Sequence, residues 1–104
     1  MYIVFLRFSQ NRAQAGQWMA EHNRWLADGF ASGDFIIAGS LEGSQGGLLI
    51  ARDMEQSALL EKVRQDPFVM HGVVAAEVHG FKPSRLAEGL DALVAQAGSK
   101  RSMA

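Results

Sequence analysis

Two residues of this chain stand out as a possible chemical pair, His22 and Asp66. His22 falls at helical spacing with Met19 and Leu26, and Trp18 and Trp25 flank it four and three residues away. An imidazole aimed at apolar surroundings is either a satisfied packing residue or a general acid or base, because histidine ordinarily titrates near neutral pH. Asp66 stands directly before Pro67-Phe68, at the mouth of a turn. Its carboxylate either accepts from nearby backbone N–H groups or receives an imidazole N–H, which would fix the tautomer and stabilise the imidazolium.

Four further residues are candidates for binding a substrate. Arg7 shares a strand face with Ile3 and Phe5, so its guanidinium is expected either at a pocket rim or paired with a carboxylate on a neighbouring strand. Trp18 and Phe68 are candidate pocket walls, though aromatics at such positions commonly belong to the core. Ser40 follows Gly39 at a strand end and is a turn residue or a donor to a ligand oxygen. His71 and His79 lie eight residues apart without Cys or an HxxxH spacing, so no metal site is expected. The cluster Gly43 to Gly47 lacks the Lys-Ser/Thr of a P-loop and reads as a hairpin connection.

The elements that must position these residues follow from periodicity. Tyr2 to Phe8 alternates β-branched and aromatic side chains and is a strand. From Ala13 to Ala31 the positions Ala15, Met19, His22, Leu26 and Phe30 form a helical stripe that Ser32-Gly33 should close. Phe35 to Ala38 and Leu48 to Ala51 are short strands joined as a hairpin. Asp53 is expected to cap a second helix through Ser57, Leu59, Leu60 and Val63, which Pro67 stops. Val73 to Phe81 is the last strand.

The order strand, helix, strand, strand, helix, strand predicts an α+β, ferredoxin-like βαββαβ fold, with one four-stranded antiparallel sheet and two helices on one face. The first strand is apolar on both sides, which predicts that a second subunit packs on the sheet as a homodimer. Leu86, Leu90, Leu93, Val94 and Ala97 predict an additional C-terminal helix over residues 84–97, for packing or for bracing a partner. The chain thus divides into a domain at 1–83, that helix, and a flexible tail at 98–104.

Composition narrows the function classes. The 104 residues and 48% hydrophobic content suit one domain with its own core. Ten Lys and Arg against eleven Asp and Glu, in no long block, argue against nucleic-acid binding. The absence of Cys excludes disulfides and thiolate chemistry. No signal-like or membrane-spanning stretch is seen, so no membrane partner and a cytoplasmic location are expected.

Several segments together resemble the YCII-related (YciI-like) proteins. They are Met1-Tyr2-Ile3-Val4, Glu21-His22-Asn23-Arg24-Trp25-Leu26, Ala38-Gly39, and Asp66-Pro67-Phe68-Val69 followed by Gly72-Val73-Val74. The resemblance covers residues 1–81 and implies a dimeric α+β barrel with a pocket between helices and sheet. It also implies an active site at His22 and Asp66. Ser40 departs from the pattern, since the family more often has proline after that glycine. One branch of the family removes chloride from chlorinated hydroxyhydroquinones, and the wider superfamily includes muconolactone isomerases. The expectation is therefore a cofactor-independent enzyme moving a proton on a carbonyl-bearing or phenolic small molecule, of lyase or isomerase type. The alternative is a non-catalytic ligand-binding or regulatory homodimer that uses the same pocket.

Overall fold

The structure, a computed structural model, describes residues 1–94 of the chain. Strand β1 (Tyr2–Phe8) leads through a 3-10 turn at Arg12–Gln14 into helix α1 (Ala15–Ala31). The hairpin of β2 (Phe35–Ser40) and β3 (Gly46–Ala51) follows, then helix α2 (Gln56–Arg64), the short helix α3 (Pro67–Met70) and β4 (Val74–Gly80). The strands form one antiparallel sheet in the order β2-β3-β1-β4, the α+β arrangement that the sequence predicts.

Strand alternation sorts the sheet into two faces. Val4 and Leu6 of β1, with Leu49 and Ala51 of β3, are buried beneath the helices. Leu59 and Val63 of α2 and Phe68 of α3 close this core from above. The residues between them face the other way. Ile3 stands opposite Ile50 and Phe5 opposite Leu48, and Ile37 of β2 stands opposite Ile50. On that side Leu86, Leu90 and Leu93 of the C-terminal segment line a groove with Ile37 and Ile50, and Ile37 keeps 46% of its surface exposed.

Helix α1 lies close to β2 because residue 29 is glycine. A Cβ there would overlap the ring of Phe35, itself buried. Trp25 fixes the same approach from the α2 side, donating its indole N–H to the Lys62 carbonyl at 3.0 Å. Gly46 serves β3 in a similar way, since its φ of 123° and the nearby Leu6 carbonyl leave no room for a side chain.

Three local expectations need correction. Asp53 does not cap α2: the N-cap residue is Glu55, and no side-chain cap bond forms there. Pro67 does not stop α2, which ends at Arg64. It opens α3 at the first helical position, where a missing N–H costs nothing. The predicted helix over 84–97 begins only at Leu90, because 81–87 have no regular structure and Gly89 takes a φ of 93°. Its far end at Ala97 and the tail at 98–104 lie outside the described residues.

Candidate functional site

The short helix α3 carries the aspartate to the histidine. Asp66 is its N-cap residue, in extended conformation, and its Oδ1 accepts the Phe68 backbone N–H at 3.0 Å. The same Oδ1 lies 2.7 Å from His22 Nδ1 across the α1 to α3 junction. Asp66 is fully buried, and the His22 side chain is 12% exposed. One oxygen thus takes two bonds, while Oδ2 is buried with no partner among the described residues.

This geometry selects one tautomer of a neutral His22 ring beside an ionised Asp66. A carboxylate accepts but cannot donate, so the proton belongs on Nδ1 and Nε2 carries the lone pair. Nε2 has no hydrogen-bond partner among the described residues. The imidazole plane is set as well, because Phe68 lies flat against it with ring centroids 4.0 Å apart and planes 5° from parallel.

His22 opens onto a cavity of about 320 Å³ between α1 and the helix-covered face of the sheet. Met19, His22, Asn23 and Leu26 roof it, Leu6, Leu49 and Val74 lie beneath, and Phe68 forms a side wall. Ser40 and the backbone of Gly39 and Gly47 stand at its β2 to β3 edge. The lining is mostly apolar, with His22, Asn23 and Ser40 as its polar side chains. Such a lining holds an apolar body and orients it through a few polar groups.

The candidate residues divide accordingly. His22, Asp66, Phe68 and Ser40 converge on the cavity or on its histidine. Trp18 does not line it. At about 100° per residue, Met19, His22, Asn23 and Leu26 point to one side of α1, and Trp18 is turned away from that direction toward α3. There it stacks on His71 at 3.6 Å. Arg7 does not reach the pocket rim either. Strand alternation puts it on the opposite face, where its Nε donates to Glu77 Oε1 at 3.0 Å. His79 bonds the other oxygen of Glu77, and its bond and that of Arg7 together lower the Glu77 carboxyl below its ordinary value. Asn23 is a lining residue the sequence reading passed over, although its place beside His22 was the available signal.

No family model matches the chain, and no curated protein matches it. Among solved structures it is similar to 5-chloro-2-hydroxyhydroquinone dehydrochlorinase (TftG) from Burkholderia phenoliruptrix AC1100, in complex with 2,5-dihydroxybenzoquinone. The TM-score is 0.66 at 20% identity, covering 79% of this chain and 94% of that one. The likeness shows the fold. No helix among the described residues is long and apolar enough to cross a membrane.

Proposed function

We propose that the chain is a YCII-related enzyme that moves a proton on a single-ring phenolic or carbonyl-bearing small molecule, with His22 as the base and Asp66 as its orienter. The observation that carries this reading is the 2.7 Å contact of a buried carboxylate with Nδ1 of an imidazole that lines a cavity. Nε2 takes a proton from a substrate hydroxyl or from a carbon next to a carbonyl. The electron pair left behind passes into the carbonyl or ring system, and the imidazolium that forms is stabilised by Asp66. Return of that proton at another atom is an isomerisation, and loss of a leaving group from the anion is a lyase reaction.

Cavity size supports a small substrate, since about 320 Å³ is near the lower end for ligand pockets. The solved structure with the same fold carries 2,5-dihydroxybenzoquinone, a one-ring compound with oxygens that such a base would serve. The same reading places a second copy of the chain on the sheet face away from α1 and α2, over Ile3, Phe5 and Leu48 and beside Ile37 and Ile50, where the 81–94 segment also lies. A hydrophobic strip of that kind is a common pairing surface.

The test is a screen of chlorinated and unchlorinated hydroxyhydroquinones and of enol-forming lactones, with wild type and His22→Ala compared by product chromatography and chloride release. Loss of about 10²- to 10⁴-fold in kcat is expected from removing a general base. Unchanged turnover in His22→Ala removes the mechanism. Binding of these compounds without turnover supports the non-catalytic ligand-binding reading instead.

A further inference from the structure

Two ring stacks join α3 to α1. His22 lies on Phe68, and Trp18 lies on His71 with centroids 3.6 Å apart and planes 4° from parallel. On α1 the members are four residues apart and on α3 they are three apart, so each stack sits about one helical turn from the other. The stacks are complementary: imidazole over phenyl at the cavity, then indole over imidazole beyond it.

Trp18 and His71 have no place in the cavity wall, yet they hold the element that carries Asp66. Helix α3 has four residues, too few to keep a position by its own hydrogen bonds. Its flanks are the extended Asp66, with ψ 121°, and Gly72, with φ 70°, where the chain turns into and out of the helix. The N-terminal end is tied by the Asp66 bond to His22. The C-terminal end is tied by the Trp18 stack, by the Asn11 side-chain amide, which donates to the His71 carbonyl at 2.9 Å, and by the Asn11 backbone N–H, which donates to the Gly72 carbonyl at 3.0 Å.

We propose that the Trp18–His71 stack is a clasp that sets the register of α3 on α1 and thereby keeps Asp66 Oδ1 at Nδ1 of His22. Both are positioning residues, and the proposal rests on reading His22 and Asp66 as the working pair. Without the clasp the His71 end of α3 keeps its backbone bonds and loses the ring contact that sets its angle to α1, and a short hydrogen bond weakens steeply once it lengthens or bends.

The experiment is ¹⁵N and ¹H NMR of the histidine rings in the full chain, which reports tautomer and Nδ1–H solvent exchange without a substrate. In wild type, His22 should hold its proton on Nδ1 with slow exchange. His71→Ala and Trp18→Leu should each speed that exchange about tenfold or more, the expected consequence of losing alignment in a short bond. Trp18→Phe and His71→Phe, which keep a ring to stack, should restore it. Tyr2→Phe removes the bond from the Tyr2 hydroxyl to the Met54 carbonyl at the other end of β1 and should leave the exchange unchanged. If His71→Ala loses the amide pattern of the sheet, His71→Gln is read in its place.

Exchange within twofold of wild type in both His71→Ala and Trp18→Leu overturns the clasp and leaves the pair standing. A wild-type His22 protonated on Nε2 alone overturns both the clasp and the paired reading.

Discussion

Removing the two members of the His22–Asp66 pair singly and together should reveal a large coupling in stability. Hydrogen bonds to charged groups contribute about 1.5–3 kcal/mol, and this pair is 12% and 0% exposed, so the discount for solvated ion pairs does not apply. Asp66→Ala also loses the cap bond to Phe68 N–H, roughly 1 kcal/mol. The unpartnered Oδ2 works in the opposite direction, because its burial already costs the folded state. Each single variant should therefore lose about 2–4 kcal/mol. The double variant should fall short of their sum by about 1.5–3 kcal/mol, since the cap term appears in both arms and cancels. Urea unfolding followed by far-UV circular dichroism measures all four chains, at one protein concentration so that any self-association is held constant. A coupling below about 0.5 kcal/mol, the range of independent sites, would refute the reasoning.

Other consequences are equally open to measurement. Gly29→Ala should destabilise by about 1–3 kcal/mol although alanine is the better helix former, because the added methyl collides with the buried Phe35 ring; a rise in Tm contradicts this. Ile37→Asp should turn a dimer into a monomer in light scattering, whereas a wild type that is monomeric at micromolar concentration removes the pairing proposal. The lowered Glu77 carboxyl gives a pH signature with a definite sign. Its unfolded value of 4.5 exceeds its folded one, so its contribution is present above that pH and fades as pH falls through the folded value. The Tm difference between wild type and Glu77→Gln should thus shrink on acidification below 4.5, and a difference that grows there contradicts the sign.

Much of this architecture was legible from residue order. Alternation in Tyr2–Phe8 and the glycine-rich hairpin led directly to the sheet, since period-two patterns and turn chemistry are local signals. The stripe of Met19, His22 and Leu26 was also visible, with His22 as its candidate acid or base, but how the helix divides between cavity and packing was not. The stripe faces the cavity, and Trp18, Trp25 and Gly29 supply the packing beside it, a division that depends on where the sheet lies. Arg7 was placed on the correct face of its strand, and the identity of that face needed the helices. Helix α3 was hidden because Pro67 signals both an end and a beginning. That Asp66 would accept a nearby backbone N–H was legible, whereas its place as the N-cap of α3 was not, nor was the Trp18–His71 stack, which joins residues far apart in the chain.

The central claim is that His22 exchanges a proton with a molecule held in the cavity. Its most direct test is isotope exchange in D₂O, with ¹H NMR following loss of acidic C–H signals from a panel of one-ring phenols, quinones and enol-forming lactones. Proton transfer can then be seen even when the complete reaction is unknown. Wild type should catalyse exchange into at least one compound, and His22→Ala should slow it about 10²-fold or more. Exchange that persists at the wild-type rate in His22→Ala, or a panel that wild type leaves untouched while binding it, would contradict the account.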